Sequence, residues 1–233
     1  MDRFRESRRF SRRDLFVAAA AGGAAALAAR SVPAGSTLAA AAVSPAVEPD
    51  DAIRRLTEGN ARYVAGTMTA FNEDLSLLKA KTAEKQAPFA AVLSCADSRV
   101  PIEIVFDQSI GHLFVCRVAG NIATPSVIGS LEYGAAVLGT AAIMVLGHAN
   151  CGAVTATMQN KAVPGQISGL FPYIRPAVDR AGGSLDAAIR ANARYQAALL
   201  QHASPLLAGL VKDATLRIVA AHYDLATGKV SLL

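Results

Sequence analysis

The chain has 233 residues, 52% of them hydrophobic, with a mean hydropathy of +0.32; that is enough apolar material for one sizeable core and too much for global disorder. Trp is absent and only 6% of residues are aromatic, which argues against a carbohydrate platform or a stacked nucleic-acid surface. The net charge of +5 sits at one end: residues 1–30 hold seven Arg against three acids, whereas 31–233 balance 16 Lys+Arg against 15 Asp+Glu, so the body carries no electrostatic footprint for nucleic acid.

The amino terminus reads as a targeting segment. Arg12 and Arg13 stand in "SRRDLFV" ahead of an Ala-rich apolar run over 15–29, short for a bilayer span and suited to a signal h-region. It resembles a twin-arginine export signal, with A-x-A-like cleavage points in "STLAAAAVSPA". The expected organisation is a leader and cleavage region over 1–42, a linker over 43–50 and one catalytic-size domain over 51–233. An exported protein, periplasmic or secreted, with the export machinery as a partner, is the expectation.

The domain opens with "DDAIRRLTEGNARYVAG", where Ile53, Leu56, Tyr63 and Val64 fall near helical spacing behind acidic residues and predict a helix. Four short apolar runs follow, over 89–95, 113–119, 141–148 and 216–224, as expected of strands buried on both faces. Helical stretches are predicted over 101–108, 125–139, 151–159 and, as one long region, 167–202. The closing "DLATGKVSLL" reads as a turn and a final edge strand. Alternating strands and helices imply an α/β fold, a mostly parallel central sheet flanked by helices.

In such sheets functional groups gather beyond the carboxyl ends of the strands. Cys95 ends the first run, His148 ends the third, and Cys151 follows at a glycine turn. Three cysteines (Cys116 is the other) cannot all pair, and their count alone does not separate one disulfide from a metal site. Two thiolates and an imidazole suit a tetrahedral zinc ion and leave its fourth position open, as catalytic sites do. Asp97 lies two residues past Cys95 and would itself ligate such an ion. Arg99, in a two-pronged ion pair, would keep that carboxylate off the metal and orient it toward a zinc-bound hydroxide.

"CADSRVP", "RVAGN", "GSLEYGAAVLG", "GHANCGAV" and the terminal "YDLATG", in this order and spacing, closely resemble the β-class carbonic anhydrases over about 51–233. The resemblance implies a fold that dimerises through its N-terminal helices and central sheet, as a homodimer or a dimer of dimers. It implies one Zn2+ per subunit held by Cys95, His148 and Cys151, with Asp97 and Arg99 as the catalytic dyad. It further implies a cleft at the subunit interface, where Gln86, Phe114, Tyr133 and Gly152 match the substrate-contacting positions of the plant-type branch. The Trp that the other branch carries three residues before the first cysteine is Val92 here, so an open, non-allosteric site is expected. Cys116 matches no ligand position and is expected to be a buried structural thiol; His112 and His202 are surface candidates for moving a proton.

The implied reaction is reversible hydration of carbon dioxide to bicarbonate and a proton by zinc hydroxide. Two thiolates cancel the ion's charge, so activity is expected to rise toward alkaline pH. A related zinc hydrolase of carbon disulfide or carbonyl sulfide, and a non-catalytic zinc-binding module, are the alternatives.

Overall fold

The apolar runs become five hydrogen-bonded strands: β1 (Ala90–Ser94), β2 (Leu113–Arg117), β3 (Ala142–His148), β4 (Arg217–Tyr223) and β5 (Val230–Leu232). The computed structural model describes residues 47–72 and 75–233; the leader, the cleavage region and the start of the linker lie outside the described residues. Strand order is β2-β1-β3-β4-β5, with β2, β1, β3 and β4 parallel and β5 antiparallel at the edge. β1 and β3 are buried along their whole length, which is why their sequences show no polar alternation.

The described helices are α1 (Pro49–Ala65), α2 (Leu75–Thr82), α3 (Ile102–Val105), α4 (Pro125–Glu132), α5 (Gly152–Gln159), α6 (Phe171–Val178), α7 (Leu185–Ala203) and α8 (Pro205–Lys212). On one face α1 and α3 pack Ala52, Leu56, Ile102 and Phe106 against Val92, Met144 and Leu146. On the other, α4, α7 and α8 pack Leu131, Ala193, Leu200 and Leu207 against Leu93, Ile143 and Val145. A third cluster joins Cys95 and Cys151 to Val154, Ile174, Ala188 and Ile189 of α5, α6 and α7 at the carboxyl ends of the strands.

Several boundaries differ from the sequence expectation, each for a local reason. α1 starts at Pro49, inside the expected linker, because proline suits the first helical position. Val64, in its last turn, is exposed rather than packed. The helix expected over 125–139 widens into a π-helical turn over Tyr133–Val137. There the ring of Phe114 lies 3.1 Å from the place a Cβ on Gly134 would occupy. The region 167–202 is broken at Gly182 and Gly183, whose φ values of 59° and 86° only glycine adopts readily. Ser184 then caps α7, its Oγ accepting from the Ala187 N–H. α2 buries no residue and carries no periodicity by which to find it.

Two buried polar groups fasten α1 in place, Asn60 to β5 and its turn and Asp107 to the loop that follows the helix. Asn60 donates to the carbonyls of Val105 and Gly228 and accepts from the Val230 N–H at 2.8 Å. Asp107 has a fully buried side chain that accepts from the N–H groups of Thr69 and Ala70, the Thr69 hydroxyl and Arg62 Nε. Burial works against its charge, but these donors outweigh it and hold the carboxyl below its ordinary value. A depressed carboxylate contributes stability above its unfolded value near 4, and loses it as pH falls through the folded value. Asp107→Asn is therefore expected to lower unfolding free energy by about 1–3 kcal/mol at neutral pH, measured in urea. The variant should also lose less stability than the wild type on acidification.

Candidate metal centre and active site

The register of β1 on β3 sets Ser94 opposite Leu146. Cys95 therefore emerges beside the end of β3, where His148 is the last residue. The chain turns through Asn150, at φ 54°, and delivers Cys151 as the cap of α5. The ligand atoms of Cys95, His148 and Cys151 all lie within 4.8 Å of one another, and all three residues are buried.

His148 Nδ1 is 2.9 Å from the Ala149 carbonyl oxygen. A carbonyl only accepts, so Nδ1 carries the proton and Nε2 presents a bare lone pair. That Nε2 is buried and, among the described residues, has no hydrogen-bond partner. An orphaned acceptor next to two thiols is costly unless something fills the space between them. A divalent ion of borderline softness would do so, and the donor set suits zinc.

The two sulfurs are held differently. The Cys151 thiol donates to Cys95 and, against the cost of burial and with the Gly120 N–H beside it, holds the Cys95 thiol well below its ordinary value. Cys151 is pushed up in turn by the Cys95 sulfur and by burial. Gly120 N is 3.3 Å from Cys95 Sγ.

Asp97 meets Arg99 as the spacing predicts. Nε and Nη2 of Arg99 donate to Oδ1 and Oδ2 at 2.9 and 2.7 Å, and the Arg99 backbone N–H adds a third bond to Oδ1. The guanidinium holds the carboxyl well below the usual carboxylate range. Asp97 Oδ2 lies 3.8 Å from His148 Nε2, so the carboxylate borders the cluster while remaining tied to arginine.

Sequence reasoning missed Arg117. At the end of β2 it donates through Nε to the Cys95 carbonyl at 3.0 Å and through Nη2 to the Asp97 carbonyl. Its signal was a single cation closing an apolar run. His222 was missed as well: it is buried on β4 beside Gly147, with Nε2 unpartnered and 3.6 Å from Asp186.

Of the other expected site residues, Gly152 stays beside the cluster while Phe114, Tyr133 and Gln86 lie elsewhere in the chain. Gly152 heads α5 directly after Cys151, and a Cβ built there meets nothing within 4 Å, so this side opens on free space. Phe114 and Tyr133 face each other with ring centroids 6.3 Å apart. Phe114, however, pairs with Ala91, four residues before Cys95, or about 13 Å back along the strand. Gln86 precedes β1 at that same far end. Within one chain, then, these three do not join the cluster of Cys95, His148 and Cys151. His112 also sits at the far end, before β2, and His202 lies about 20 Å along α7 from Ile189, which packs against both thiols. Cys116 is half-buried on β2 rather than fully enclosed, and burial raises its thiol.

A family model described as carbonic anhydrase matches residues 90–230. A solved β-carbonic anhydrase from Coccomyxa, in complex with acetazolamide, is similar at TM-score 0.62 and 28% identity, covering 76% of this chain and 83% of that one. This chain belongs to the β-class carbonic anhydrases. It is 36% identical to a carbonic anhydrase of Mycolicibacterium smegmatis over 196 residues, covering 81% of this chain and 95% of that one. It is 34% identical to carbonic anhydrase 2 of Mycobacterium tuberculosis over 201 residues, covering 81% and 94%.

Arg117 fixes the backbone at Cys95 and two residues on at Asp97 through their carbonyls, with no bond to the Cys95 sulfur. Arg117→Leu is expected to weaken metal binding about 10–100-fold, as loss of an outer partner does; competition against a chromogenic chelator measures it.

Proposed function

We propose that the chain hydrates carbon dioxide reversibly to bicarbonate and a proton, with one zinc ion per subunit held by Cys95, His148 and Cys151. The observation that carries this reading is the bare Nε2 of His148, buried beside two thiols and next to a carboxylate that Arg99 already occupies. When bound, zinc supplies a Lewis acid that brings the pKa of a coordinated water toward neutrality.

The chain's own residues do the rest. Arg99 engages both carboxylate oxygens, so Asp97 stays ionised and off the ligand set. It serves as an acceptor at the open side of the cluster, holding a water proton and leaving the lone pair free for the substrate carbon. Arg117 keeps the 95–97 backbone in the arrangement that makes this possible.

A second copy of the chain completes the pocket. β2 is the outer strand of the sheet, and Ile104, Ile110, Tyr133 and Val137 are exposed apolar side chains. Two β2 strands related by a two-fold axis would pair antiparallel, the start of one beside the end of the other. That arrangement brings the partner subunit's Phe114, Tyr133 and Gln86 toward Arg117 and the metal ligands, which a single chain cannot do. The aromatic pair suits a small apolar substrate, and the Gln86 amide suits one of its oxygens. Val92 is fully buried within β1, and the absence of Trp supports the plant-type, non-allosteric reading. Arg12, Arg13 and the apolar run behind them support export.

Stopped-flow hydration with zinc analysis tests the chemistry. The wild type should carry about one zinc and speed up with pH, while Asp97→Ala keeps its zinc and slows about 10²–10⁴-fold. A wild type full of zinc and inert above about pH 8 would overturn the reading. Subunit mixing tests the shared pocket. Asp97→Ala combined with a Gln86→Ala/Phe114→Ala chain should regain about a quarter of the wild-type rate, since half the dimers are mixed and each holds one intact site. No recovery on mixing would mean that each pocket is built from one chain.

A further inference from the structure

We propose that Asn192 and Gln196 of α7 are positioning residues for the metal centre, holding the 120–123 turn so that the Gly120 N–H is delivered to the Cys95 sulfur. The proposal rests on the reading of Cys95 as a metal ligand.

Both amides are buried, at 1% and 0% exposure, and such groups are costly inside a core unless every donor and acceptor is met. Here the bonds are met in a closed circuit. Asn192 Nδ2 donates to the Gly120 carbonyl at 2.9 Å, and Asn192 Oδ1 accepts from Gln196 Nε2 at 3.0 Å. Gln196 Nε2 also donates to the Tyr173 carbonyl at 2.8 Å, and its Oε1 accepts from the Ala123 N–H at 2.9 Å. The turn is thus gripped at both ends, by the carbonyl of Gly120 and the amide of Ala123.

The third grip acts through α6. Tyr173 precedes Ile174, whose Cδ1 stands 2.7 Å from the place a Cβ on Gly120 would occupy, with Ala153 Cβ at 3.3 Å. Gly120 has φ 78°, so the turn admits only glycine and has no slack toward α5 or α6. One amide pair, four residues apart on one face of α7, therefore sets the turn and the wall it presses against. The only polar contact this turn makes with a proposed ligand atom is Gly120 N to Cys95 Sγ.

A network that served packing alone would lose little by becoming apolar, since replacing both hydrogen-bond partners together is close to neutral. A fully satisfied buried network instead fixes one arrangement, and here the arrangement fixed is an N–H aimed at sulfur. Such a bond withdraws charge from the thiolate and fixes where the sulfur sits, so its loss raises electron density on the sulfur while depriving the ion of a pre-set ligand. Outer partners of this kind change metal affinity about 10–100-fold.

The test uses cobalt(II) in place of zinc, because its thiolate-to-metal absorption reports electron density on the bound sulfurs, together with zinc affinity by chelator competition. The variants are Asn192→Leu and the milder Asn192→Ser, which leaves room for water if the first does not fold. Asn60→Leu is the control: another buried amide, on the opposite face of the sheet, bonded to Val105, Gly228 and Val230. Both Asn192 variants should move the absorption to lower energy and weaken zinc about 10-fold, with the Asn60 variant losing stability but keeping the wild-type spectrum. An unmoved absorption in Asn192→Ser, or an equal shift in Asn60→Leu, overturns the proposal. A wild type that shows no cobalt–thiolate absorption overturns the metal assignment itself, and the proposal with it.

Discussion

The alignment of β1 with β3 governs the centre. No tight turn sets it, because parallel neighbours are joined by long crossovers. Burial sets it: Val92, Met144 and Leu146 enter one core layer while Leu93, Ile143 and Val145 enter the other. A slip of one residue would turn each of these to the wrong face. The free energy of packing aliphatic side chains is thus what places a cysteine and a histidine at the same height. Cys151 then needs only the two-residue turn of Ala149 and Asn150 to join them.

Charge is distributed around that point with some economy. Cys95, Cys151 and Asp97 are three groups able to become anionic within a small space, and the chain opposes them with Arg99, Arg117 and the Gly120 N–H. The two arginines divide the work. Arg99 satisfies a side-chain carboxylate, while Arg117 satisfies backbone carbonyls. Neither arginine hydrogen-bonds a sulfur. A thiol must shed its proton to bind a divalent ion, so loading of the site is expected to be favoured as pH rises.

Much of this was legible in the sequence because continuous apolar runs have few other uses. The parallel strands announced themselves, and residues at their carboxyl ends were the place to look for chemistry. Asp97 and Arg99 were legible for a related reason, since two residues of spacing beside a strand end leave them little choice but to meet. Arg117 was not, because a cation after an apolar run reads as solvated until its carbonyl partners are seen. The break at Gly182 and Gly183 was hidden by apolar periodicity on both sides of it, and α2 by having none. Phe114, Tyr133 and Gln86 show a different limit. Their motif positions match a pocket, yet the strand register puts them a strand's length from the ligands in their own chain.

That same register leaves β2 with one side unpaired among the described residues. Leu113, Phe114, Val115 and Cys116 offer neither proline nor charge to discourage a stray strand, and the one charged residue, Arg117, is committed to holding its neighbours' carbonyls. An edge of this kind is a template for any extended segment that meets it. A newly folded chain is therefore adhesive along β2 before it is anything else. How soon that edge is covered, against how many stray strands surround it, bears on how much soluble protein a cell obtains.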